Sequence, residues 1–240
     1  MKALLSFLVL AKFGKILLMA GTMLLSVLTY GVVFGWPYAV GFVALLFAHE
    51  MGHYIAARRR GLAVGIPIFI PFVGASIALK ELPRNAETEA YVGAAGPFVG
   101  TAAALGSYIL GRLTGNPLFL ALAYAGFFLN LFNLIPLSPF DGGRICAIID
   151  PRLWFLGVPI LVVLFVLRPN PLLVLMAILA IPQLIRAWRH DRADASTAAY
   201  YSATGAEKVQ YAVAYLGLAA FLAAMLEQIH AMLSGVAAAA

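Results

Sequence analysis

Charge is scarce in this chain. Only 11% of its 240 residues are Asp, Glu, Lys or Arg and 63% are apolar, against roughly a quarter charged and half apolar in a soluble domain. That shortage excludes an ordinary water-soluble globule. Cysteine is nearly absent: Cys146 stands alone, which excludes an internal disulfide framework and leaves it as a small packing residue. No internal repeat is evident. The opening stretch MKALLSFLVLAKFGK has only a short apolar run, followed by Lys12 and Lys15, and no small-residue cleavage site. It reads as a retained amphipathic lead-in. The formal net charge of +6 does not indicate a nucleic-acid partner, because the basic residues cluster at the ends of apolar runs and form no stripe.

What the chain has is long apolar segments. Runs near twenty residues mark membrane-spanning helices, and they fall at 16–35, 37–57, 90–111, 117–137, 153–167, 171–188 and 209–233. The fifth is short, so the expected architecture is an all-α polytopic bundle of six or seven spans. Two apolar stretches are not simple helices. VGIPIFIPFVGASIAL (64–79) carries Pro67, Pro71 and Gly74 among β-branched and aromatic residues. A proline inside a helix costs about 3 kcal/mol, so a short membrane-associated β-hairpin is expected there. NLIPLSPFDGG (133–143) breaks a span with two prolines and two glycines.

Orientation follows from lysine and arginine. If Arg58, Arg59 and Arg60 are cytoplasmic and the spans alternate, eleven further basic residues join them: Lys2, Lys12, Lys15, Lys80, Arg84, Arg144, Arg152, Arg186, Arg189, Arg192 and Lys208. Only Arg112 and Arg168 fall outside. Fourteen against two places the N-terminus inside and the C-terminus outside, and makes Arg58 to Arg60 a topology anchor.

Ionisable residues within spans are expensive and mark function. Four lie at depth: His49, Glu50, His53 and Asp141. His190 falls in a loop and His230 near the end of the last span. His49 and His53 are one turn apart on one helix face, where two imidazoles can converge on a zinc ion at about 2.0–2.1 Å. Glu50 is placed to reach a water at that ion without being a ligand, which is the mechanics of H-E-x-x-H. Gly52 lets another segment approach closely. A catalytic zinc takes three protein ligands, and Asp141 is the remaining carboxylate at depth. Pro136, Pro139, Gly142 and Gly143 break the backbone around it, which irregular structure in a membrane permits only around a buried or wet site.

Each of these residues has a plainer reading. Two buried histidines and a glutamate can be satisfied by neighbours, although lipid makes that costly. Asp141 can be a turn aspartate beside two glycines. The amide of Asn133 can hold a substrate carbonyl or its oxyanion, or satisfy a carbonyl orphaned by Pro136. The aromatic clusters FFLNLF and YAVAY read as packing or lipid-facing residues. A membrane metal transporter would also embed histidines and carboxylates, but transporters show interrupted helices in both of two halves, and here one cluster exists.

The two motifs together resemble the site-2 protease family of intramembrane zinc metalloproteases. HEMGH matches its H-E-x-G-H pattern. NLIPLSPFDGG matches N-x-x-P-x-x-x-x-D-G through Asn133, Pro136, Asp141 and Gly142. AAGPFVG (94–100) is similar to a small-residue GP segment of that family. Many members carry an asparagine shortly after the GP, where this chain has Gly100, so only a packing role is carried over, to Gly96 and Pro97. The resemblance covers roughly residues 10 to 190, with no run similar to a PDZ or CBS domain.

The resemblance implies a zinc metalloendopeptidase with one Zn²⁺ per chain, held by His49, His53 and Asp141, with Glu50 as general base and Asn133 toward substrate or oxyanion. It implies transmembrane or membrane-proximal protein substrates within a lipid bilayer, regulated intramembrane proteolysis, and a multi-pass protein of the cell membrane with its active site toward the cytoplasm. A non-catalytic member that only binds membrane helices would lose the base or a ligand, and this chain keeps all of them. Residues 1–190 are expected to form the metalloprotease core, and 191–240 a cytoplasmic linker and a last span. The linker, HDRADASTAAYYSATGAE (190–207), reads as a connection more than a cover.

Overall fold

The computed structural model of the chain describes residues 2–79, 81, 83–188 and 195–239. Helix α1 (Lys2–Phe34) runs straight through the lead-in. Gly35 follows with φ 88°, a value that glycine adopts without steric cost. It turns the chain directly into α2 (Trp36–Arg59), which has proline in its first turn and Arg58 and Arg59 in its last. Both placements suit a helix: proline's missing N–H is unneeded at the start, and cations complement the C-terminal dipole.

The hairpin forms as expected. Strand β1 (Val64–Ile70) pairs antiparallel with β2 (Gly74–Leu79), with Ile68 opposite Ser76 and Phe69 opposite Ala75. Pro67 lies in β1 and Pro71 in the turn, so β2 keeps every backbone donor. At the turn Phe72 takes φ 62°, which is uncommon for a residue with a side chain. Tyr30 of α1 holds it, accepting from the Phe72 N–H at 2.8 Å and meeting its ring edge-on.

Helix α3 (Ala86–Thr114) starts on an Asn85 cap, whose side chain accepts from the Thr88 N–H, and ends on Gly115 in the left-handed region. Asn116 caps α4 (Pro117–Asn133). The span expected at 117–137 therefore stops at Asn133, because Pro136 cannot continue it. Residues 134–140 form the break, and α5 (Asp141–Ile149) begins at Asp141 itself. Gly142 and Gly143 are thus helical, not part of the break. They are glycines because a Cβ at Gly142 would strike the Leu134 carbonyl and one at Gly143 the Leu137 backbone.

A 3₁₀ turn (Pro151–Leu156) leads into α6 (Gly157–Leu167), followed by α7 (Pro171–Trp188), α8 (Ala195–Tyr200) and α9 (Gly205–Ala239). Of the linker expected at 190–207, residues 190–194 lie outside the described residues. So do Lys80, Arg189 and Arg192 among the basic residues assigned to one side.

Among the described residues, four helical segments are long and apolar enough to cross a membrane: Phe13–Phe34, Trp36–Arg59, Ala86–Thr114 and Gly205–Ser234. Three shorter apolar helices cover Pro117–Asn133, Pro151–Leu167 and Pro171–Ile185. At about 1.5 Å per residue, α6 alone reaches about half of a hydrocarbon layer of roughly 30 Å. The side chains are distributed as in a lipid solvent. Val32 is 81% exposed, and Leu113, Val166 and Leu167 also point outward, whereas His49, Glu50, His53, Asn130 and Asp141 are buried. The chain is a multi-pass membrane protein.

Small residues set the helix spacing, as they do where helices must associate without a hydrophobic driving force. Gly52 of α2 lies against the Ala95 carbonyl of α3, and Gly126 of α4 against Ala104 of α3. Helix α9 closes the bundle with Leu218, Leu222, Met225 and Ile229 packed among Phe127, Ala123 and Ile145.

Candidate metal centre

Two segments far apart in sequence meet in one buried polar cluster. From α2, His49 and His53 present their Nε2 atoms 3.1 Å apart. From the start of α5, Asp141 Oδ2 lies 3.1 Å from His49 Nε2 and 3.2 Å from His53 Nε2. A tetrahedral ion with bonds of about 2.05 Å separates its ligand atoms by about 3.3 Å. The three atoms therefore form nearly one face of such a tetrahedron.

The far sides of both rings show which nitrogens carry protons. His53 Nδ1 lies 2.8 Å from the Val92 carbonyl of α3, which can only accept. His49 Nδ1 lies 2.8 Å from Asn130 Oδ1, and the Asn130 amide is oriented by its Nδ2 donating to the Gly126 carbonyl at 2.7 Å. In the neutral rings both protons thus sit on Nδ1, and both Nε2 lone pairs face each other and a carboxylate oxygen. Three acceptors in contact repel unless a cation lies among them. The donor set, two imidazoles and a carboxylate, is one that zinc takes, so the residues present fit that ion.

Glu50 is also buried, with a ligand-type oxygen within 4.8 Å of the imidazole nitrogens. A cavity of about 90 Å³ opens on this cluster, lined by His49, Glu50, His53, Asn133, Asp141 and Arg144, with Ser76 and Ile77 of β2 along one side. The structure thus brings all five sequence-predicted site residues to one cavity. Asn133 lines the wall, its Nδ2 donating to the Leu129 carbonyl at 3.0 Å. An amide nitrogen has a second proton, which that bond does not use.

Close helix approach makes the cluster possible. A Cβ at Gly96 would collide with the His53 ring, and one at Gly93 with Arg144 while crowding the Asp141 carbonyl. The break and the first turn of α5 that follows it are fastened from three later elements. Ser138 N–H donates to Gln183 of α7, Tyr215 of α9 donates to the Leu134 carbonyl at 2.5 Å, and Trp154 Nε1 donates to the Gly143 carbonyl at 2.7 Å. Two backbone groups of the break, the Leu134 carbonyl and the Ser138 N–H, thus find side-chain partners.

Two side chains of the site escaped sequence reasoning. Asn130 lies within the aromatic run FFLNLF, and an uncharged amide in an apolar helix leaves a weaker signal than an ionisable group. Arg144 marks topology by its charge, and in the structure its Nη1 also lies 3.9 Å from Asp141 Oδ1. The Val92 contact is made by backbone and leaves no signal in residue type.

Fold and cluster together define a class: a helical membrane protein that buries an H-E-x-x-H helix turn against a distant aspartate. Residues 37–116 match Peptidase family M50, which contains the H-E-x-x-H turn and ends before Asp141. The chain is 28% identical over 145 residues to Zinc metalloprotease MJ0392 of Methanocaldococcus jannaschii, an alignment covering 55% of this chain and 40% of that protein. It is 36% identical over 124 residues to Putative zinc metalloprotease sll0528 of Synechocystis sp., covering 46% and 32%. It is 32% identical over 80 residues to Probable zinc metalloprotease EGY1, chloroplastic, of Arabidopsis thaliana, covering 31% and 15%. The chain spans less than half the length of these relatives. These matches bear out the resemblance to the site-2 protease family.

Proposed function

We propose that this chain is an intramembrane zinc metalloprotease that hydrolyses peptide bonds of transmembrane or membrane-proximal proteins. The observation that carries this reading is the meeting of His49, His53, Asp141 and Glu50 at one buried cavity. His49 and His53, through Nε2, and Asp141, through Oδ2, would hold one zinc ion. When bound, zinc polarises a carbonyl and lowers the pKa of a water beside it.

The chain's own residues do the rest. Glu50 takes a proton from water admitted to the cavity and returns it to the leaving amine. The second amide proton of Asn133 is offered to the oxygen of the scissile carbonyl. A helical substrate hides its carbonyls in its own hydrogen bonds, so it must be unwound to react. The two-stranded sheet leaves the outer edge of β2 without a third strand among the described residues, and Ser76 and Ile77 of that strand line the cavity. An extended substrate segment added along β2 would lie beside Glu50.

The lysine and arginine distribution supports a cell-membrane protein whose site faces the cytoplasm. The three shorter helices would complete seven spans. Residues 1–190 then carry the metalloprotease core, and 191–240 a cytoplasmic linker and a last span, from which Tyr215 reaches the core. Release of a membrane-tethered segment by such an enzyme is regulated intramembrane proteolysis. The test is Glu50→Gln in the full chain, with a membrane-embedded reporter and elemental analysis. Zinc content is expected to stay and cleavage to fall by about 10²–10⁴-fold. Cleavage at the wild-type rate would remove Glu50 as the base.

A further inference from the structure

Asn130 is almost completely buried in the last turn of α4. A polar amide there is costly unless its hydrogen-bonding groups are used, and both ends are. The nitrogen donates to Gly126 and the oxygen faces His49 Nδ1. Across from it stands Gly100 of α3, and a Cβ at that position would run into the oxygen, nitrogen and carbon of the same amide. Any larger residue at 100 would therefore displace the group that touches the imidazole.

A histidine that holds a metal through one nitrogen usually donates its other N–H to a fixed acceptor. Loss of that acceptor typically weakens metal binding by about 10- to 100-fold. We propose that Asn130, seated in the space left open by Gly100, is a positioning residue for His49, keeping the ring proton on Nδ1 and turning the Nε2 lone pair toward His53 and Asp141. This inference rests on the metal reading above. It assigns a role to two residues of α3 and α4 that lie outside both sequence motifs. Without the amide, the ring is free to rotate or to move its proton to Nε2, and either change removes a ligand.

The experiment uses the full chain in detergent micelles, stripped by chelator and titrated with zinc against a chromophoric competitor. A parallel cobalt titration reads the ligand-field spectrum. Helicity and melting are recorded for each variant first. Asn130→Ala is expected to weaken zinc binding by about 10- to 100-fold and to alter the cobalt spectrum. Asn130→Leu, which fills the volume, is expected to do the same and replaces the alanine variant if that one does not fold. Asn130→Asp keeps an acceptor for Nδ1–H and is expected to retain affinity within about threefold of wild type.

Gly100→Ala leaves Asn130 chemically intact and is expected to lose a similar factor. Gly100→Ala combined with Asn130→Ala should cost no more than Asn130→Ala alone, which is the signature of two residues acting through one group. Wild-type affinity in Asn130→Leu, or equal loss in Asn130→Asp and Asn130→Leu, would overturn the positioning role while leaving the metal site standing. Failure of the wild-type chain to bind zinc would overturn the metal reading itself.

Discussion

His49 and His53 face each other across 3.1 Å through the two ring nitrogens that carry no proton when the rings are neutral. Their protonated nitrogens point away, one to an amide oxygen of α4 and one to a carbonyl of α3. The helix turn alone supplies the spacing. Its neighbours supply the orientation, so the two imidazoles are preorganised by three helices.

Asp141 is the third member of that set and comes from a separate helix. Asp141→Ala leaves two imidazoles, one fewer than the three protein ligands of a catalytic zinc. Bound zinc in the purified protein is expected to fall well below one per chain, with helicity retained. Unchanged stoichiometry by elemental analysis would take Asp141 out of the ligand set.

Gly96 faces the His53 ring with no room for a side chain. Gly96→Ala must push either α3 or the ring aside, and overpacking of this kind costs about 1–3 kcal/mol. The variant is expected to melt earlier in detergent and to bind zinc more weakly than wild type. Gly106, whose surroundings are open, is the control, and Gly106→Ala should change neither property.

Tyr215 of α9 donates to the Leu134 carbonyl in the break. Tyr215→Phe leaves that carbonyl without this donor, at a cost of about 1–3 kcal/mol if no water reaches it. Thermal unfolding in detergent is expected to shift downward, and zinc affinity to fall with it because the same break carries Asp141. Unchanged melting and affinity together would show that α9 does not brace the site.

Ser76 lies on β2 at the cavity wall. With Ser76→Cys in the Glu50→Gln background, disulfide cross-linking to cysteines placed along a substrate segment is expected at alternate positions, the period of an added strand. Cross-links with a helical period, or none, would count against strand addition.

Much of this was legible in the sequence, for physical reasons that differ by residue. His49, Glu50, His53 and Asp141 stood out because a titratable group in an apolar run is rare and expensive. The hairpin was legible because Pro67, Pro71 and Gly74 forbid a helix in an otherwise apolar stretch. The end of α4 was misplaced by several residues, because Leu134, Ile135 and Leu137 are as apolar as any span. Hydrophobicity does not register where the backbone stops being helical, and Pro136 acts on the residues before it. Gly142 and Gly143 read as turn residues, but they serve close packing against residues 134–137. Asn130 was hidden for a different reason: its meaning depends on what stands opposite, and no single helix contains that information.

The fastening of residues 134–143 by Trp154, Gln183 and Tyr215 has a consequence for biosynthesis. A nascent chain that has emerged only as far as residue 150 already holds both imidazoles and the aspartate, but none of the three clasps that fix the aspartate's approach. The clasp from Tyr215 can close only once α9 has been synthesised and has packed against the break.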